Sequence, residues 1–401
     1  MTSHFGRVLI AIGCTFSCWP LHAYKEVNHR QMSEMAVDAS VLSSQDKLDQ
    51  LGLRYGVDDG RQRFPVIEPL GLKQENIRGA VSFGADFEDS GRRVVNHFFN
   101  PLNNKALTWV PSNATSPDWA LEDNSTIGFN LAGSQNFSYR ALSDYFLNAL
   151  INPTKTERDK NWGLTFQTLG QVLHHLQDMT QPQHVRDDIH LDLNEIGLPN
   201  IPVLSHPSTY EKWVANTKER TTFAGYPAYA PVYSRSNLGS FTKPRQFWTT
   251  SDASVGTGGN GIAEYTNRGF FSVGTVFLDP NFPAPIGSGG AAVDVVQLCS
   301  GAVPACPAGV SGVMSFTQNT VTDTLRPALT QDNPRARALS IYNSDLTSRG
   351  FLPTYTLNRF TYDSAAQILI PRAIGYSAGL LNFFFRGRWT LVCRTKAYMP
   401  P

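Results

Sequence analysis

The segment from Lys160 to Met179 constrains this chain more than any other. Leu164, Leu169, Val172, Leu173 and Leu176 recur there at helical spacing, and Pro182 stops the run because a proline has no N–H to continue the ladder. Other stretches share the period. Glu26 to about Leu53 reads as helical, with Met32, Met35, Ala36, Val41 and Leu42 as core contacts. Phe137 to Leu150 carries Tyr139, Leu142, Tyr145, Phe146 and Ala149 at helical spacing and ends at Asn152-Pro153. A shorter helix is expected from Ser208 or Thr209 through Trp213 and Val214. The mostly apolar run from Asp363 to Phe385 is expected to be a buried closing helix. Pro371 and Arg372 interrupt it, leaving less than the ~20 uninterrupted apolar residues that a membrane span needs.

Between Ala224 and Val310 the composition shifts to Gly, Pro, Ser, Thr and Asn, which predicts loops. The expected organisation is a leader over 1–23, a helical core over 24–223, a loop-rich insertion over 224–330 and a helical segment over 331–401 that completes the core. The leader has Arg7, an apolar run from Val8 to Trp19, and Leu21-His22-Ala23 as a cleavage site, so a secreted protein, extracellular or periplasmic, beginning at Tyr24 is expected. Of five cysteines, Cys14 and Cys18 would leave with the leader. Cys299 and Cys306, which bracket a small loop, are then the best disulfide pair, and Cys393 is left over.

The balance of 41% hydrophobic and 17% charged residues belongs to an ordinary globular protein. A net charge of +1 lacks the basic excess that binding to nucleic-acid backbones usually demands.

The chemistry sits at the end of the strongest helix, in His174-His175-Leu-Gln-Asp178-Met-Thr-Gln-Pro-Gln-His184. A spacing of four puts His174 and Asp178 on one helical face, one turn apart, where both reach a common cation. Pro182 turns the chain so that His184 can approach from another side. Most of the histidines downstream of Ala23 sit in polar surroundings. His97 follows Asp86, Glu88 and Asp89; His206 precedes Glu211; and His29 lies near the expected new terminus. Imidazole and carboxylate donors without cysteine suit catalytic Zn²⁺ with positions open to water.

These residues resemble the zinc-dependent phospholipases C and the related P1 nucleases, whose signature HxxxDxxxxxH is matched by His174, Asp178 and His184. His97-Phe-Phe-Asn-Pro101 is similar to their HF.DP-like segment, with Asn100 where Asp is usual, and His206 and Glu211 stand one residue further apart than the family's HxxxE. The resemblance runs from about Tyr24 to Val214 and over the closing helix, and it implies an all-α fold holding three zinc ions. It implies Asp89, His97, His174 and Asp178 at one zinc, and His184, His206 and Glu211 at another. Tyr24, through its free amine and carbonyl, would join His29 and Asp178 at the third, with Asp178 bridging. Asp86 and Glu88 are alternatives to Asp89. His175, one position off the ligand face, and His190 are left without a ligand role.

The expected activity is hydrolysis of phosphoric ester bonds by an activated water, with Asp89 as a candidate proton acceptor. Phospholipid headgroups are the first substrate choice, with transient contact at a membrane surface and no stable protein partner. A single-strand nuclease and a catalytically inactive secreted metal-binding protein are the alternatives.

Overall fold

The computed structural model describes residues 26–108, 113–190, 208–215, 231–233, 241–250, 260–272, 292–297, 313–321, 331–339, 348–350, 355–357 and 361–387. The expected leader, Tyr24, His206 and the three remaining cysteines lie outside these residues.

The described part is mostly helical and is organised around α7, Lys155–Asp178. This helix starts five residues before the periodic stretch. Thr154 caps it by accepting from the Glu157 N–H, and the charged first turns add a Lys155–Asp159 pair. Neither signal has an apolar period. From Asn161 to Asp178 every residue of α7 is buried, including its glutamines and histidines.

Packed on α7 are α1 (Glu26–Asp38), α3 (Ile77–Phe87), α4 (Ser116–Leu121), α6 (Tyr139–Ile151) and the closing helix Tyr362–Phe384. The crossing of α3 and α7 is a backbone contact. A Cβ on Gly84 would lie 2.0 Å from the Gln167 carbonyl oxygen, and one on Gly170 would lie 2.0 Å from that of Val81. Only glycine at both positions lets the helices approach this closely.

The predicted helix from Glu26 to Leu53 is broken. α1 ends at Asp38, a 3₁₀ turn spans Val41–Ser43, and α2 covers Gln45–Gln50. Ser40 accepts from the Leu42 N–H, and Asn382 on the closing helix accepts from the Val41 N–H at 2.7 Å, which fixes the break. After α2, β1 (Phe64–Glu68) and β2 (Gly71–Glu75) form an antiparallel hairpin. The Gln167 side chain accepts from Ile67 N–H at 2.8 Å and donates to its carbonyl at 2.9 Å, so α7 completes the edge of β1.

One further expectation is corrected. The region read as a loop-rich insertion contains β3 (Ala292–Gln297) and β4 (Val313–Val321), and β5 (Gln331–Leu339) opens the segment read as helical. With β6 (Tyr355–Thr356) they form one antiparallel sheet in the order β3-β4-β5-β6. The β-period is short and diluted by Ser, Thr and Asn, as in Met314-Ser-Phe316-Thr, so composition masked it. The closing helix forms over the expected residues and runs through Pro371. The neighbouring Arg372 turns back to the Ile368 carbonyl at 3.0 Å and lies 4.4 Å over the Tyr265 ring. No helix among the described residues is long and apolar enough to cross a membrane.

Candidate metal centre

Asp178, the last residue of α7, is the hub of a buried cluster. Its Oδ1 lies 3.4 Å from His29 Nε2. Its Oδ2 lies 3.0 Å from His97 Nδ1, 3.2 Å from His174 Nε2 and 3.7 Å from His184 Nδ1. Both oxygens are buried, and neither is in hydrogen-bond geometry. His174 reaches Asp178 because they stand one turn apart on α7, while His29 comes from α1 and stacks on His174 at 3.8 Å between ring centres. Asp89 follows the end of α3, and its Oδ1 lies 3.4 Å from His174 Nε2 and 3.6 Å from His97 Nδ1.

The outer nitrogens explain how the rings are oriented. His174 Nδ1 is 2.6 Å from the Ala85 carbonyl oxygen, His184 Nδ1 is 3.2 Å from that of His97, and His190 Nδ1 is 3.0 Å from that of Asp188. A carbonyl can only accept, so Nδ1 carries the proton in each ring. His29 Nδ1 faces Gln177 Oε1 at 2.8 Å, and Gln177 donates its Nε2 to Ser33, which again makes Nδ1 the donor. In a neutral ring Nε2 is then a lone pair, aimed at carboxylate oxygens. Lone pairs facing lone pairs in a dry interior repel unless a cation or protons stand between them.

Protonation is disfavoured at the centre of the cluster. Burial, with His175 nearby, lowers the His97 pKa to about 4 against the pull of Asp178 and Glu88. Burial and the neighbouring His29 hold His174 well below its ordinary value. Burial alone would raise Asp178, but His174, His184 and His97 outweigh it and keep the carboxylate ionised. Neutral imidazoles around an ionised carboxylate form a ligand set for a metal ion. The groups His29/His174/Asp178 and Asp89/His97/His174 each bring one ligand atom per residue within 4.8 Å of the others.

The three acids preceding His97 separate. Asp86 pairs with Arg30 at 3.2 Å. Glu88 accepts from Arg93 at 2.7 and 2.9 Å and from Trp119 Nε1 at 2.9 Å, and it meets His175 Nε2 at 2.9 Å. Asp89 is the one brought to both His97 and His174. Glu88, His97 and His175 also lie close enough to hold an ion, yet Arg93 already neutralises that carboxylate. His175 faces Ser116 Oγ at 3.2 Å on its other side, so it braces α4 against α7.

A second group lies beyond Pro182. His184 Nε2 is 3.7 Å from Glu211 Oε1, and His190 Nε2 is 2.9 Å from the same oxygen. Glu211 sits in α8, Thr209–Val214, whose N-cap Ser208 donates to Gln183 Oε1 at 2.6 Å. Gln181 donates to Glu211 Oε1 at 2.7 Å. The structure thus adds His190 to a group where sequence reasoning left it without a role. A spacing of six on irregular backbone has no period to betray it.

No protein-family model and no curated protein matches this chain. What stands on the chain's own residues is a helical protein with several buried His, Asp and Glu groups that can hold metal ions.

Proposed function

We propose that this chain is a secreted zinc-dependent hydrolase of phosphoric ester bonds, acting as a phospholipase C on phospholipid headgroups. The observation that carries the reading is Asp178, a buried carboxylate ringed by His29, His97, His174 and His184 with neither oxygen hydrogen-bonded. Imidazole nitrogen and carboxylate oxygen without cysteine form the donor set of catalytic zinc. Three ions are expected, with Tyr24 and His206 as the remaining ligands in the family's pattern. Zinc would supply Lewis acidity toward a phosphoryl oxygen and a water acidic enough to ionise near neutral pH.

The chain's own residues do the rest. The Nδ1–H bonds to Ala85, Gln177 and the His97 carbonyl lock three rings so that their donor atoms need no reorganisation. Asp89, beside His97 and His174, is the base that takes the proton of the attacking water as the new P–O bond forms and the ester P–O bond breaks, and that proton passes on to the departing ester oxygen, which leaves as the alcohol. Burial of the surrounding helices keeps bulk water from the charges.

The test is to purify the exported protein, sequence its first residue, count zinc by elemental analysis, and assay a chromogenic phosphocholine ester with and without chelator. Close to three zincs, a Tyr24 terminus and chelator-sensitive hydrolysis support the proposal. Activity confined to single-stranded nucleic acid moves the substrate to the nuclease type. Bound zinc without phosphodiesterase activity points to an inactive metal-binding protein, and less than one zinc on a correctly processed chain refutes the reading.

A further inference from the structure

We propose that His190 is a metal ligand, supplying through Nε2 the second imidazole of the centre formed by His184 and Glu211. This rests on the zinc-hydrolase reading and departs from the family's pattern, in which His206 would take that place.

The site is built from fixed parts. After α7 the chain runs through successive turns, with Gln181 N–H bonded to the Asp178 carbonyl, His184 N–H to that of Gln181, and Asp188 N–H to that of Gln183. Asp187 takes a left-handed backbone with φ of 53°, which folds the chain back toward α8. Thr108 pays for that conformation by holding the Asp187 carboxylate through its N–H at 2.9 Å and its hydroxyl. From the helix Ile262–Gly269, Asn267 donates to the Val185 carbonyl at 2.7 Å and accepts from Arg186 at 3.1 Å through its own carbonyl. The stretch leading into His190 is therefore pinned at Val185, Arg186 and Asp187.

The result is convergence. His190 and His184 meet edge to face with ring centres 4.9 Å apart, and Phe98 stacks on His184 at 4.6 Å. Both Nδ1 atoms are occupied by backbone carbonyls, so both Nε2 atoms are turned toward Glu211 Oε1. His184 Nε2 is buried and makes no hydrogen bond. Gln181, donating to the same Glu211 oxygen, orients the carboxylate as an outer-sphere partner. Two imidazoles and a carboxylate leave a tetrahedral ion one position for water or substrate.

The competing role for His190 is a charged partner of Glu211, with no bond to metal. His190→Cys separates the two, because a thiolate on Co²⁺ adds an intense sulfur-to-metal charge-transfer absorption that no neighbouring charge can produce. The full-length exported protein is reconstituted with Co²⁺, and His190→Cys, His190→Gln and His206→Gln are compared for metal per chain and near-ultraviolet spectrum. Far-ultraviolet circular dichroism confirms the fold of each. We expect the charge-transfer band in His190→Cys and one metal fewer per chain in His190→Gln. A full metal complement in His190→Gln, or a folded, fully loaded His190→Cys without the band, overturns the assignment while leaving the hydrolase reading intact. A wild-type protein that binds no metal removes both, so the two failures are distinct.

Discussion

Replacing Gly170 by alanine tests how the site is held together. Its Cβ would lie 2.0 Å from the Val81 carbonyl oxygen, 2.7 Å from the Ala85 nitrogen and 2.9 Å from the Gly84 Cα, all of them backbone atoms that cannot swing aside. Ordinary contact starts about 1.4 Å further out than the nearest of these, so α3 must retreat by about that distance. Alanine is favoured over glycine in a helix by about 1 kcal/mol. Overpacking against rigid backbone costs about 3 kcal/mol, the upper end of the usual range, so a net loss of about 2 kcal/mol is expected. The retreat also moves the Ala85 carbonyl that orients His174 and the Asp89 that follows α3. Urea midpoints measured in chelator report the stability, and elemental analysis after zinc reconstitution reports the site. Gly56→Ala, where the added methyl meets open space, is the control and should stay within about 0.5 kcal/mol of wild type. A Gly170→Ala protein with an unchanged or higher midpoint and full metal would show that the close crossing does not hold the site.

Other outcomes follow from the same geometry. Glu88→Gln should cost about 3 kcal/mol, because it strands Arg93 beside a buried neutral group, yet leave the metal count unchanged. Asp89→Asn should do the reverse, losing metal with little change in the chelator midpoint. The opposite pattern would make Glu88 the ligand. Chelation should lower the thermal midpoint and zinc should restore it, since an ion held at a hundredfold its Kd stabilises by about 2.7 kcal/mol. A midpoint indifferent to chelator would argue against a structural stake in metal. In the metal-free protein, His97, lowered from 6.5 to about 4, favours the folded state fully above pH 6.5 and progressively less as pH falls toward 4, and His174 acts in the same direction. His190 runs the other way. Against the opposing effect of burial, Glu211 raises it to about 9, so its contribution is complete below pH 6.5 and is lost as pH rises through 9. A thermal midpoint that falls on both sides of neutrality is expected, and a flat profile from pH 6.5 to 4 would contradict the neutral state of the buried rings.

Much of this was written in local sequence. The period of Leu164 to Leu176 placed α7, and a spacing of four placed His174 and Asp178 on one face, because both depend only on helix geometry. The proline after Met179 told where that helix ends, and Asn152-Pro153 told where α6 ends. Local spacing could not choose among Asp86, Glu88 and Asp89. They lie within four consecutive positions, and the choice was made by Arg30 and Trp119, which arrive from distant parts of the chain, together with the nearby Arg93. Nor could it find His190, whose place depends on a left-handed residue and on anchors from Thr108 and Asn267. Sequence determined which side chains share a helical face. Tertiary structure decided which faces meet, because that depends on how closely two backbones can approach, and at Gly84 and Gly170 they touch.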